Sequence, residues 1–286
     1  MAVERLAVIG AGLMGRGIAQ VAALGGFKVS LQDISLEYLD KALEVIRSDL
    51  EKGLKIGKVS QSQLDGALQN LNLTTDLGAA VGEADLVIEA IPEDLELKLN
   101  LFRQLDELCP GHTVLATNTS AKSITEIAAA TRRPDKVVGM HFFNPPHKMK
   151  LVEIIRGLET SGETFAEAGQ AARAMGKETV EANEFPGFIT SRINVLIGNE
   201  AFYLLMEGVA KAEDIDRALK LGLNHPMGPF ELVDLVGLDT RLKVLEYMHQ
   251  SLGEKYRPCP LLVKYVKAGR LGRKTGKGVY NYTGRE

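Results

Sequence analysis

The sequence predicts an α/β fold: a doubly wound, mostly parallel sheet with helices on both faces, followed by a smaller all-helical domain. Three observations carry that expectation. Short apolar runs alternate with stretches of helical spacing through residues 1–185. The first run ends in the glycine-rich turn Gly10-Ala11-Gly12-Leu13-Met14-Gly15, which opens directly into a helix. Past the segment NEFPG, Asn183 to Gly187, the alternation stops and helical spacing takes over, so the second domain is assigned to residues 186–286.

The elements justify this in order. Residues 5–9 (RLAVI) form a short apolar strand, and residues 17–24 place apolar side chains at helical spacing. Glycines between them let a backbone approach a pyrophosphate, which the first-turn amides and the helix dipole then hold. A second strand, residues 28–32 (KVSLQ), ends in Asp33, roughly twenty residues beyond the glycines, where a carboxylate can accept both hydroxyls of an adenosine ribose. No arginine follows Asp33 to hold a 2′-phosphate, so the pattern favours NAD over NADP. The bland alternative is a glycine-rich turn that binds nothing.

Residues 36–58 have helical character and carry Lys41, Lys52, Lys55 and Lys58. These are solvated charges unless Lys52 and Lys55 meet a phosphate-bearing substrate tail. Strands are expected at 71–75, 85–91 (DLVIEAI), 113–116 (TVLA), 137–140, 151–155 and 178–181, with helices at 94–108, 123–130 and 164–175. Ligands in such sheets bind beyond the carboxyl ends of strands. The polar clusters fall at such ends: Glu93, then Asn118-Thr119-Ser120, then His141 and Asn144.

Residues 137–156, VVGMHFFNPPHKMKLVEIIR, concentrate the chemistry, with His141 and Asn144 at one end and Glu153 at the other. An imidazole is a natural proton carrier between an alcohol and a ketone, and a nearby carboxylate can fix its tautomer and stabilise its charged form. Twelve positions separate His141 from Glu153, so the turn through Pro145 and Pro146 must reverse the chain for them to meet. Otherwise His141 merely closes a strand and Glu153 is solvated.

Beyond residue 186, helical spacing covers 188–208, 212–221, 229–236, 238–252 and 261–268. Ile193, Val195, Leu196, Ile197, Phe202, Leu204 and Leu205 are too many for one buried stripe, and they suggest a second face that meets a partner subunit. Residues 269–282 (GRLGRKTGKGVYNY) read as a loop and a short strand, with Lys274 able to reach an anionic ligand.

Composition narrows the partners. The 286 residues carry 34 basic and 37 acidic side chains, a net charge of -3, so no global basic field recruits nucleic acid or a membrane surface. A small-molecule partner fits better. Cys109 and Cys259 lie far apart with no redox or metal-ligand spacing, no metal-ligand cluster is evident, and neither a signal segment nor a membrane span is found. A reduced, cytoplasmic protein is expected.

The motifs GAGLMG with Asp33, IEAIPE, TNTS, GMHFFNPPHKMKLVE, PGFI, HPMGPFELVDLVGLD and GRKTGKG run in order over essentially the whole chain. On them the sequence resembles the L-3-hydroxyacyl-CoA dehydrogenases, in particular bacterial members that act on 3-hydroxybutyryl-CoA. The resemblance implies a Rossmann-type NAD-binding domain, a helical domain through which chains dimerise, and reversible oxidation of a 3-hydroxyacyl-CoA in fatty-acid or butanoate metabolism. It implies cofactor contacts at Gly10, Gly12, Leu13, Met14, Gly15, Asp33, Glu93, Lys98, Ser120, Asn144 and Lys274. It implies His141 as general base and acid, oriented by Glu153, with Ser120 and Asn144 also touching substrate.

One departure matters. After PGFI the family has an Asn that completes the catalytic group, and this chain has Ser191. Serine keeps one hydrogen-bonding function and loses the amide's second. Ser191 itself, a water, or Asn194 a turn later are the ways to fill that role. Two rival readings remain: a dehydrogenase of a free 3-hydroxy acid, and a catalytically silent NAD-binding structural protein. Phe142 and Phe143 beside His141, together with Lys52 and Lys55, favour a thioester with a phosphorylated tail.

Overall fold

The computed structural model describes residues 3–282. The chain divides into two compact units, Met1–Phe185 and Pro186–Glu286. The first runs β1 (Arg5–Ile9), α1 (Leu13–Leu24), β2 (Lys28–Gln32), α2 (Leu36–Lys55), α3 (Gln61–Gln69), β3 (Leu71–Thr74), α4 (Leu77–Val81), β4 (Leu86–Glu89), α5 (Leu95–Leu108), β5 (Val114–Thr117), α6 (Ile124–Ala128), β6 (Val137–Phe142), β7 (Leu151–Arg156), α7 (Gly162–Ala174) and β8 (Glu178–Asn183). Among the described residues the strands form one sheet in the order β3-β2-β1-β4-β5-β6-β7-β8. Every neighbouring pair is parallel except β6 and β7, which are antiparallel. The doubly wound, mostly parallel sheet expected from the alternation is present.

The central strands β4 and β5 are buried at every position. Helices cover both faces of such a sheet, which is why these strands read as unbroken apolar runs and not as alternating ones. The direction of winding reverses between β1 and β4, and a crevice opens beyond their carboxyl ends. Three local differences from the sequence expectation have physical causes. The helix expected over 36–58 ends at Lys55, because Gly57 turns the chain with φ of +69°. A second helix, α3, then starts at a capping box between Ser60 and Gln63. His141 lies inside β6 and not beyond it, because the strand runs on to Phe142.

The second unit contains α8 (Thr190–Met206), α9 (Ala212–Gly222), α10 (Pro229–Val236), α11 (Leu238–Leu252) and α12 (Pro260–Lys267). The helix expected from residue 188 begins two residues later, since Phe188 has φ of +49°. Phe202 packs edge-on against Phe230 and Tyr265 at the centre of its core. Of the seven apolar positions expected to be too many for one buried stripe, Val195 and Phe202 are buried in that core and Ile193 is exposed, as are Met206, Val209, Leu221, Leu223, Leu235 and Val236 elsewhere in the unit. In the tail, isolated bridges Gly272↔Lys277 and Lys277↔Asn281 stand in place of the expected short strand. Asp234 secures this segment by accepting from the Val279 and Tyr280 amides and the Tyr282 hydroxyl. Among the described residues no helix is long and apolar enough to cross a membrane.

One ion-pair cluster steadies the approach to β6. Asp106 on α5 accepts from Arg132 Nε at 2.7 Å and from Arg133 Nε at 2.8 Å. Burial pushes its carboxyl up, but hydrogen bonds from both arginines and the Arg133 charge outweigh that, and its pKa falls below the ordinary 3.8. A depressed carboxyl stabilises the fold above its unfolded pKa, and the contribution is lost as pH falls through the folded value. Asp106→Asn is therefore expected to cost about 1–3 kcal/mol at pH 7 in urea unfolding. The deficit against wild type should shrink as the pH drops below 3.8. A pH-independent deficit would show that the carboxylate charge is not what matters.

Candidate active site

His141 and Glu153 are directly opposite each other in the antiparallel pairing of β6 with β7. Opposed residues in such a pair project from the same face with their Cβ atoms about 5 Å apart. The side chains meet there: His141 Nδ1 is 2.7 Å from Glu153 Oε2, with His141 only 5% exposed and Glu153 fully buried. A carboxylate, when ionised, only accepts, and against it Nδ1 is the nitrogen that carries the proton. The Phe143 ring lies against the imidazole, 4.6 Å between centroids at an angle of 49°. The twelve-position separation in sequence is thus closed by strand register.

A second group of charges borders this pair through β5 and the turn after it. Asn118 Oδ1 accepts from the Phe142 amide at 2.8 Å, tying the turn to the end of β6. Glu93 accepts from the Thr119 hydroxyl at 2.5 Å and from the Ser120 amide at 2.9 Å, which fixes the Ser120 backbone. Lys98, 1% exposed, bridges Glu93 at 3.2 Å and Glu89 at 2.6 Å. Glu89 is fully buried at the end of β4 and also accepts from the Thr117 hydroxyl and the Ile91 amide. Burial pushes the Glu89 carboxyl up from its ordinary range; the Lys98 charge and these hydrogen bonds oppose that.

The glycine turn connects β1 to α1 at the reversal of the sheet. Gly10 has φ of +100°, and a methyl there would press on the Ala90 carbonyl at 2.8 Å. A methyl on Gly15 would overlap the Gly10 carbonyl oxygen, while one on Gly12 would meet nothing within 4 Å. Space at Gly12 and contact at Gly10 and Gly15 match a turn folded tightly on itself yet open toward a ligand. No side chain caps α1 and no acid lies in its first turn, so its leading amides have no acceptor from the chain's own cap. Asp33 Oδ2 accepts from the Ala11 amide at 2.7 Å. A cleft of about 990 Å³ runs along this turn, with Leu13, Met14, Asp33, Tyr38, Leu97 and Leu101 in its lining. Its size, apolar walls and single carboxylate fit the adenosine and pyrophosphate of NAD.

The remaining expected residues lie on helices and in the tail. Lys52 and Lys55 are exposed in the last turn of α2, and Lys52 contacts Asp49 at 3.3 Å. Lys274 pairs with Asp239 at 2.6 Å within the second unit, and Ser191 occupies the first turn of α8. Sequence reasoning did not single out Glu89, Thr117 or Lys177. A carboxylate inside the apolar run DLVIEAI was a usable signal for Glu89; Lys177 had none.

Known proteins resemble this chain over nearly its whole length. A family profile described as "3-hydroxyacyl-CoA dehydrogenase, NAD binding domain" matches residues 5–185, and one described as "3-hydroxyacyl-CoA dehydrogenase, C-terminal domain" matches residues 187–282. A protein of Bacillus subtilis (strain 168) named "Probable 3-hydroxybutyryl-CoA dehydrogenase" is 49% identical over 283 residues, covering 99% of this chain and 98% of that one. The mitochondrial hydroxyacyl-coenzyme A dehydrogenase of Homo sapiens is 43% identical, covering 98% and 91% respectively. The crystal structure of (S)-3-hydroxybutyryl-CoA dehydrogenase from Ralstonia eutropha superposes with a TM-score of 0.95 at 41% identity, covering 99% of this chain and all of that one.

Gly15→Ala is expected to weaken NADH binding by about tenfold or more, roughly 1.4 kcal/mol, measured by fluorescence titration. Wild-type affinity in this variant would mean that the glycine turn is not the cofactor cradle.

Proposed function

The chain belongs to the 3-hydroxyacyl-CoA dehydrogenase family, and from that premise we propose that it interconverts L-3-hydroxybutyryl-CoA and acetoacetyl-CoA, with His141 as the proton carrier. As a member of the family it is an oxidoreductase with NAD as its cofactor. The observation that carries the proposal is the buried 2.7 Å contact of His141 Nδ1 with Glu153 Oε2.

In the oxidation, His141 Nε2 takes the hydroxyl proton from within hydrogen-bond reach, and Glu153 steadies the ring and the imidazolium that results. The Ser120 hydroxyl donates toward the same oxygen as it becomes a carbonyl. Gly10, Gly12 and Gly15, with Asp33 for the ribose and Glu93, Lys98, Asn144 and Lys274 as further contacts, would hold NAD, which would supply the hydride acceptor. In reduction, His141 returns the proton. The amide role at position 191 passes to Ser191, to a water, or to Asn194. Lys52 and Lys55, exposed and cationic, suit the phosphates of a coenzyme A tail. Exposed apolar side chains such as Ile193, Leu221 and Leu235 support a homodimer through the helical unit, and two buried free cysteines fit a cytoplasmic setting.

His141→Ala should lower kcat for acetoacetyl-CoA by about 10²- to 10⁴-fold, with NADH affinity changed by less than about twofold. An active variant would remove the assignment. Wild-type enzyme should consume NADH with acetoacetyl-CoA and not with free acetoacetate. Comparable turnover of the free acid would favour the rival substrate class, and binding without turnover a silent protein.

A further inference from the structure

Residues 143–150 return the chain from β6 to β7 and carry Asn144. Asn144, Lys148, Met149 and Lys150 are exposed, and the segment is buried at one point, Pro146. Two contacts hold that point from opposite sides. On one side is Gly17 of α1: a methyl built there would meet Pro146 Cδ at 2.7 Å and Cγ at 2.8 Å, so the ring lies directly on the helix backbone. On the other is Lys177, in the turn between α7 and β8 and 8% exposed. Its ammonium donates to the Pro146 carbonyl at 2.5 Å and to the Met149 carbonyl at 3.0 Å.

These two carbonyls are the hydrogen-bond partners of Lys177 among the described residues, and no carboxylate there pairs with it. A buried ammonium without a counter-ion is costly, and burial lowers its pKa accordingly. If the turn needed only to cover the core, an apolar side chain would fill this slot at less cost. The ammonium provides something an apolar group cannot: two directed bonds to one short stretch of backbone, three residues apart. That stretch begins two residues after Asn144 and is pressed onto the same helix whose first-turn amides face the cofactor turn.

We propose that Lys177 is a positioning residue for the dehydrogenase reaction: by gripping the Pro146 and Met149 carbonyls it seats the 143–150 turn on α1 and so fixes Asn144 for its contact with the nicotinamide end of NAD. The inference rests on the reading of Asn144 as a contact of both cofactor and substrate, which puts it where the two meet, at the nicotinamide end. It separates the two halves of the cofactor, since this turn meets α1 at Gly17, beyond the glycine turn that with Asp33 would serve the adenosine and pyrophosphate.

The test uses Lys177→Met, which keeps the stem and removes the ammonium. NADH and ADP-ribose, which lacks the nicotinamide, are titrated by fluorescence and competition, and kcat is measured with acetoacetyl-CoA. NADH affinity and kcat should each fall by about tenfold or more, with ADP-ribose affinity held within about twofold. In an Asn144→Ala background the same change should add no further loss. Parallel weakening of both ligands, unchanged NADH affinity and kcat, or losses that multiply in the double variant would each overturn the proposal. Should Lys177→Met fail to fold, Gly17→Ala pushes the same ring from the other side. It should show the same split between NADH and ADP-ribose, and Gly17→Ala with Pro146→Ala should restore it; a parallel loss would overturn the proposal. An Asn144→Ala enzyme with wild-type NADH affinity and kcat would overturn the reading of Asn144 as well, whereas a damaging Asn144→Ala beside a silent Lys177→Met would sink only the role of Lys177.

Discussion

The antiparallel register of β6 on β7 is the constraint on which the rest of the site depends. It sets His141 opposite Glu153 and closes their hydrogen bond at 2.7 Å. A slip of one residue would send one of the two side chains to the other face of the sheet and break the pair completely. The same register explains why this is the antiparallel step in the sheet. A parallel return from Phe142 to Leu151 would need a crossover of a dozen or more residues, and only residues 143–150 are available. A short proline-containing turn therefore decides both the sheet topology and the meeting of imidazole and carboxylate.

Around that pair the chain surrounds buried charge with fixed partners. Glu153 has the imidazole, Glu89 has Lys98 and a hydroxyl, and Lys98 reaches on to Glu93. Burying ions in this way contributes little net stability, because desolvation offsets most of the Coulombic gain. What it does provide is geometry: Asn118 holds the end of β6, and Glu93 holds the Ser120 amide. The residues proposed to meet the reacting atoms are thereby borne on rigid strands and on turns braced from behind.

Much of this was legible in the sequence, and the limits are instructive. The glycine turn and Asp33 are short-range signals, because the spacing of a βαβ unit is set by the lengths of a strand and a helix. The doubly wound sheet followed from alternation, and the change to helical spacing after Gly187 was equally plain. The meeting of His141 with Glu153 was conditional, since it required a register that no local pattern specifies. Lys177 was invisible, because a buried lysine bonded to backbone carbonyls reads like any solvated one. The apolar excess on α8 was legible, but not its division: it does not reveal that the unit's own core absorbs Val195 and Phe202 while Ile193 stays exposed.

The central claim is that His141 and Glu153 act as one unit, and a double-mutant cycle on kcat tests it most directly. If Glu153 works only through the imidazole, Glu153→Gln should lower kcat in the wild-type background, by about tenfold or more, and have no further effect once His141 is alanine. Losses that simply multiply in the double variant would contradict the account, because they would give the carboxylate a role of its own.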